Sequence, residues 1–152
     1  MLAFLVSALL CAQDFEYRQG GAIVDPLTNE SRTPQEFLKY ALELRDAGKY
    51  VPAVQALSFL VNRVPEPAIR ETAHFERSAT FYKAGAYYEA YHDSESFILR
   101  FPQSERITAS KKLEMSAALA LTRSVNAARA ASCSPCLLKH IASSGLTLSI
   151  SG

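Results

Sequence analysis

A four-residue pattern occurs twice in this chain, 37 residues apart. The first copy is Gly48, Tyr50, Ala53 and Pro65, and the second is Gly85, Tyr87, Ala90 and Pro102. In both copies the spacing is Gly-x-Tyr-x-x-Ala, followed by Pro after eleven further residues. Internal periods of about 20 to 50 residues are typical of arrays in which each copy is one unit stacked on its neighbours. The pattern therefore predicts a repeat architecture for the middle of the chain.

Each residue of the pattern suits a hairpin of two antiparallel helices. Gly adopts the left-handed backbone conformation that ends a helix, and Pro stops the next helix because it has no N–H to donate. Ala lets two helix backbones approach closely, and Tyr fills the space beside it. We therefore predict an all-α fold in which antiparallel helix hairpins stack as a short solenoid of about five helices.

Helix-start signals fall where this scheme needs them. Thr33-Pro34-Gln35-Glu36 is a capping box with Pro at the first helical position. Ser104-Glu105 is a start signal for the last helix, which is rich in Ala and Leu. The predicted helices cover about residues 34–47, 50–63, 67–84, 87–100 and 104–131.

The repeated turn, the apolar second helix and the closing Pro resemble the tetratricopeptide repeat. The resemblance divides a helical domain at 34–131 into repeats at about 34–66 and 67–103 and a lone helix at 104–131. The phrase Arg100-Phe101-Pro102-Gln103-Ser104 is similar to the repeat ends of the BamD-like outer-membrane assembly lipoproteins.

The second repeat departs from the family pattern at three positions. Arg77 and Ser78 stand where a typical repeat has a Leu-Gly pair, and His74 stands where a large apolar residue is usual. The hairpin survives these changes, but we expect its packing to be looser.

The resemblance also implies where a partner binds. In a tetratricopeptide array the first helix of each hairpin lines a concave face that takes a protein or peptide segment. The residues carried over to that face are Gln35, Leu38, Leu42, Arg45 and Asp46 from the first repeat, and Thr72, Phe75, Ala79, Tyr82 and Lys83 from the second. For Leu38, Phe75 and Tyr82, core packing or contact with the N-terminal arm is the alternative.

The N-terminal stretch from Met1 to Ala12 is apolar except for Ser7. We interpret residues 1–12 as an export signal, which implies the periplasm or the outer-membrane periphery. A lipoprotein signal cut before Cys11 is the second interpretation, although Leu10 stands where a small residue is usual. A spanning helix needs about 20 apolar residues, so we expect no transmembrane segment in the mature chain. Residues 13–33 are predicted to form an irregular arm, either a short hairpin or an extended segment against the first helix.

The sequence changes character after Pro102, since no aromatic residue follows Phe101. A third copy of the turn is absent, and residues 132–152 are predicted to be a poorly ordered tail. Two explanations stay open: a long capping helix with a disordered tail, or downstream repeats lost by truncation or a change of reading frame. The leucines of the last helix, Leu113, Leu119 and Leu121, form either a self-association surface or a face buried against the fourth helix.

One group of residues could support disulfide exchange or metal binding: Cys133 and Cys136, with His140 four residues further on. A Cys-x-x-Cys pair suits disulfide exchange when it opens a helix after a strand, and this sequence offers no such strand. Zinc would have three ligands and lack a fourth. His74 and His92 have no nucleophile placed beside them by a recognisable motif. We therefore expect neither a catalytic site nor a cofactor nor a metal.

The charges also limit the partners. The chain has 16 Lys and Arg against 15 Asp and Glu, so it has no overall basic character for nucleic acid. The resemblance, together with the apolar N-terminal stretch, implies a non-catalytic protein-binding scaffold of the cell envelope, with outer-membrane protein assembly as the specific hypothesis. A generic tetratricopeptide adaptor is the first alternative, and a thiol-redox or metal protein using the two cysteines is the second.

Overall fold

A computed structural model describes residues 15–18, 21–25 and 29–143, and the side chains of these as far as residue 128. The predicted export signal and Cys11 lie outside this part of the chain, as do residues 144–152. Cys133, Cys136 and His140 lie in the segment of which only the backbone is described.

The described chain is mostly helical, which confirms the predicted all-α class with about five helices. The helices are α1 (Pro34–Asp46), α2 (Tyr50–Arg63), α3 (Pro67–Lys83), α4 (Tyr87–Arg100) and α5 (Ile107–Ser143). The first four agree with the predicted bounds to within a residue. Thr33 and Glu36 form both hydrogen bonds of the predicted capping box at the start of α1.

The two repeat glycines end α1 and α3 as predicted. Gly48 has φ 75° and Gly85 has φ 78°, the left-handed region that an L side chain rarely adopts. In both turns the N–H of the glycine and of the residue after it donate to carbonyls of the preceding helix. These bonds join Gly48 to Arg45 (2.9 Å), Lys49 to Leu44 (2.9 Å), Gly85 to Tyr82 (3.1 Å) and Ala86 to Phe81 (3.0 Å). These two hydrogen bonds at each turn satisfy carbonyls that the helix end would otherwise leave unpaired.

The helices pack in chain order, each against the next. In addition, α1 contacts α3 and α3 contacts α5, so the first helices of successive hairpins are also neighbours. Ala53 and Ala90 are fully buried, which places a small side chain inside each hairpin as predicted. The result is a stack of hairpins in which contacts run between near neighbours along the chain.

The N-terminal arm is more regular than predicted. It forms a three-stranded antiparallel sheet, in the order β1 (Glu16–Tyr17), β2 (Ile23–Val24) and β3 (Ser31–Arg32). The third strand was not predicted because Ser31-Arg32 has none of the apolar alternation that indicates a strand.

This sheet belongs to the hydrophobic core. The ring centroid of Phe15 lies 4.8 Å from that of Phe37 in α1 and 5.7 Å from that of Phe59 in α2. Ile23 is fully buried in the same cluster. The aromatic and apolar residues before the repeats are therefore an integral part of the first hairpin's core.

Helix α5 differs from its prediction at both ends. It begins at Ile107, because the Ser104 hydroxyl donates to Glu71 (2.5 Å) and accepts from the Arg106 N–H (3.1 Å) in a turn before the helix. It continues to Ser143, past the predicted end at residue 131.

The leucines of α5 divide between the two predicted alternatives. Leu113 and Leu121 are half-buried, as expected for packing on the preceding helix. Leu119 keeps 57% of its surface exposed, and Met115 keeps 67%. Among the described helices, none has the length and apolar character that a membrane crossing requires.

The buried alanines give the first testable prediction. Ala90 has no exposed surface between α4 and its neighbours, so Ala90→Leu should overpack the crossing and lower the free energy of unfolding by about 1 to 3 kcal/mol. Ala127→Leu is the matched control, because Ala127 is exposed on α5. Urea titration of both variants checks the prediction. Equal stability of the Ala90→Leu and parent chains would contradict this packing.

Candidate functional site

The residues predicted to bind a partner lie on helices that the structure brings together. We call the surface defined by Gln35, Leu38, Leu42, Arg45, Thr72, Phe75, Tyr82 and Lys83 the inner face. Its residues come from α1 and α3, which are in contact, and α5 continues the row beside α3. The predicted site therefore draws on neighbouring elements.

Two ion pairs join α1 to α3 along the inner face. The Arg45 guanidinium bonds to the Glu76 carboxylate, and its Nε lies 2.9 Å from Asp46 Oδ1. The Lys83 ammonium lies 3.7 Å from the same Asp46 oxygen. Hydrogen bonding from Arg45 lowers the pKa of the exposed Asp46 carboxyl. Arg45, predicted as a partner contact, is mostly engaged within the chain, since only 14% of its side chain is exposed.

Arg106 makes the corresponding junction between α3 and α5. Its guanidinium donates to the Thr72 hydroxyl (2.8 Å) and lies 5.9 Å from the centre of the Phe75 ring. Arg106 was not predicted as a site residue because it lies in the turn before α5, outside any repeat position. No signal in the sequence pairs it with Thr72.

The apolar residues of the inner face have contacts within the chain. Leu38 packs against the main core cluster, Phe75 contacts Phe97 (5.8 Å between ring centroids), and Tyr82 contacts Tyr87 (5.5 Å). All three remain half-buried rather than buried. Part of the surface of each side chain is covered by packing within the chain. Contact of the exposed part with a partner stays a prediction. Gln35 and Lys83 are exposed.

The three departures from the repeat pattern converge on one carboxylate, that of Asp93 in α4. This group accepts hydrogen bonds from the Arg77 guanidinium, from Ser78 Oγ (3.0 Å) and, at 3.1 Å, from His74 Nε2. Arg77 also donates to Ser58 of α2 (3.3 Å). Looser packing was expected at these positions, but His74 and Ser78 are buried and both are hydrogen-bonded to Asp93.

The electrostatics of the Asp93 cluster follow from these bonds. Burial acts to raise the pKa of the Asp93 carboxyl, but hydrogen bonds from His74 and Arg77 and their charges outweigh it and hold that pKa below its ordinary value. The Nδ1 atom of His74 is buried without a partner, and its ring meets the edges of Phe97 and Phe101. With 1% of its side chain exposed, His74 is closed to a substrate. The cluster therefore joins α3 to α4 and, through Ser58, to α2.

The helical periodicity of α4 could have indicated that the Asp93 side chain is directed toward the interior. The residue lies between Ala90 and Phe97, which are both fully buried, at a helical spacing that directs its side chain toward the same interior. A carboxylate on that side requires buried donors, and His74, Arg77 and Ser78 are three polar residues at apolar positions of the facing helix.

No group of three or more His, Cys, Asp or Glu side chains within the described part of the chain is arranged to hold a metal ion. The backbone places Cys133, Cys136 and His140 inside α5 rather than at a helix start. Because their side chains are not described, the redox and metal hypotheses stay predictions.

Comparison of the chain with models of protein families, with curated proteins and with solved structures finds no match. The tetratricopeptide and BamD-like assignments therefore rest on the residue pattern and remain proposals.

The Asp93 cluster gives the second prediction. Asp93→Asn should lower the free energy of unfolding by about 3 kcal/mol at pH 7, because it leaves the Arg77 guanidinium half-buried without its counter-charge. A depressed folded-state pKa gives stability that is fully present above the ordinary Asp pKa of about 4 and is lost as pH falls through the folded value. The difference between the two chains should therefore shrink at pH 3.

Urea titrations at pH 7 and pH 3 check this expectation. Glu89→Gln is the control, because Glu89 is an exposed carboxylate on the same helix and its removal should change the free energy of unfolding by less than about 0.5 kcal/mol. An Asp93→Asn chain as stable as the parent at pH 7 would show that the cluster contributes nothing.

Proposed function

We propose that this protein is a non-catalytic scaffold that binds a segment of a partner protein on its inner face. The supporting observation is that α1, α3 and α5 lie side by side and present half-buried apolar side chains beside exposed charged ones. Stacked helical hairpins form extended surfaces of this kind, which repeat proteins use for binding.

The chemistry of the face suits a peptide segment. Leu42 and the neighbouring Ala79 keep part of their apolar surface accessible, while Gln35 and Lys83 supply exposed polar groups. A partner segment that contributes both apolar side chains and backbone carbonyls would find complementary groups along this row. The pairing of Asp46 with Arg45 and Lys83 keeps the charged groups in position before a partner binds.

For the cellular role we propose the cell envelope, with organisation of outer-membrane protein assembly as the specific function. The support is the apolar stretch at residues 1–12 together with the BamD-like repeat ends. The alternative within the same class is a tetratricopeptide adaptor unrelated to membrane assembly. The nature of the partner distinguishes the two.

Site-specific photo-crosslinking in cells tests the proposal. A photoreactive residue at Gln35 or at Lys83 should capture a partner protein, because both side chains are exposed on the inner face. The matched control places the same residue at Leu99, which is exposed on α4 and belongs to no part of the inner face. Capture is measured as the yield of a discrete crosslinked band and identified by mass spectrometry.

The crosslinked bands distinguish the specific assembly role from the adaptor and test binding on the inner face. A band from the two inner-face positions that is absent at Leu99 supports the scaffold, and an outer-membrane assembly protein in that band supports the specific role. An unrelated partner supports the adaptor. Equal yields at all three positions, or no band at any, would contradict binding on the inner face.

A further inference from the structure

Two adjoining pockets lie along α3, on the side away from the inner face. Arg77 and Phe81 are one helical turn apart on α3, and the helical period places them roughly opposite Thr72, Phe75 and Lys83. We call this surface the outer groove. Its floor is Phe81 and Arg77, one wall is α2 at Val51 and Val54, and the other wall is α4 at Tyr88 and His92.

One half of the outer groove is apolar. Between α2 and the turn after α3 lies a pocket of about 230 Å³ bounded chiefly by hydrocarbon. The apolar part of its lining is Tyr50, Val51, Val54, Phe81, Ala84 and Ala86, and Gln55 is its polar member. Ala84 and Ala86 leave the space open, and Val51 at its mouth keeps 63% of its surface exposed. A pocket of this kind suits one large apolar side chain, as the anchor of a binding segment does.

The other half combines aromatic rings with carboxylates. A wider pocket of about 510 Å³ shares Phe81 with the first and is also lined by Tyr88, Glu89 and His92. The rings of Tyr88 and His92 are 4.4 Å apart, and His92 Nδ1 lies 3.5 Å from Glu95. Tyr88 is therefore held in place although 59% of its surface is exposed.

The acidic and basic residues that line the wider pocket are Arg77, Glu89 and Asp93. Arg77 is already paired with Asp93, which leaves the charge of Glu89 unbalanced within this pocket. Glu89 forms no ion pair among the described residues. The charged residue of α2 is Arg63, at the end of the helix away from the apolar pocket. A carboxylate beside an exposed aromatic ring attracts a Lys or Arg side chain, through both the opposite charge and the ring face.

We propose that the outer groove is a second docking site, and that it takes a partner segment with a large apolar side chain adjacent to a Lys or Arg. The apolar side chain enters the pocket between α2 and α3, and the cation lies against Tyr88 and Glu89. The site uses no residue of the inner face, so it can be tested independently of the proposed function.

Two dipeptide amides test the site on the full chain. Phenylalanyl-arginine amide carries the proposed chemistry, and phenylalanyl-glutamate amide reverses the charge. We expect the first to bind with a millimolar Kd, at low salt about five-fold or more tighter than the second, and to shift the NMR resonances of the Tyr88 and Phe81 rings. Ring resonances of Phe15 and Phe37 in the distant core should stay unchanged.

Variants separate the two halves of the site. Glu89→Gln should remove most of the preference for the arginine probe, and Val51→Asp should weaken binding of both probes. Leu99→Asp is the control for Val51→Asp, because it places the same charge at an exposed apolar position outside the groove. Thermal unfolding of all three variants confirms that they fold.

The opposite results overturn the proposal. Equal affinity for the two probes, or no binding, excludes recognition of an apolar and cationic segment. Shifts confined to Tyr82 would place the probes on the inner face. A parent chain that sediments as a dimer and a Val51→Asp chain that sediments as a monomer would show that a second copy occupies the groove.

Discussion

The position of α3 depends on how the largely buried carboxylate of Asp93 receives its hydrogen bonds. Moving the Asp93 side chain out of water costs several kcal/mol unless donors replace the lost hydration, and three residues of α3 supply them. Because Arg77 also reaches Ser58, the same cluster connects α3 to the helix on each side. These bonds have directions, whereas apolar contacts do not, so they specify how α3 is rotated between α2 and α4. The orientation of α3 in turn decides which of its residues reach the inner face and which reach the outer groove.

The sequence allowed most helix ends to be predicted, and the reason is local. A glycine in the left-handed region, a proline after the helix and a capping box act within a few residues, so Gly48, Gly85 and Thr33 carry their information with them. What could not be predicted depends on distant partners. Strand β3 forms because β2 lies beside it, and the start of α5 depends on a bond from Ser104 to Glu71. The same limit applies to the inner face, where the pairing of Arg45 with Glu76 spans 31 residues of sequence.

The two candidate surfaces use one helix in opposite ways. On the inner face Glu76 of α3 is paired with Arg45 of α1, and Thr72 of α3 accepts a hydrogen bond from Arg106 in the turn before α5. On the other side Phe81 is flanked by two walls and forms the base of a groove. Although α3 contacts four other helices, it keeps accessible residues on both of these sides, and the two sides differ in chemistry.

Buried apolar side chains are distributed unevenly along the described chain. The continuous cluster runs from Phe15 to Ala73, whereas beyond it the buried apolar residues are Ala90, Phe97 and Ala117, and the buried positions between them are polar. In a stack held by near-neighbour contacts, local stability follows local burial. The chain should therefore open from its C-terminal side, with amide exchange fastest in α5 and slowest in α1 and α2. A protease that cuts transiently opened segments would remove the later helices first and leave the sheet with the first hairpin as the longest-lived fragment.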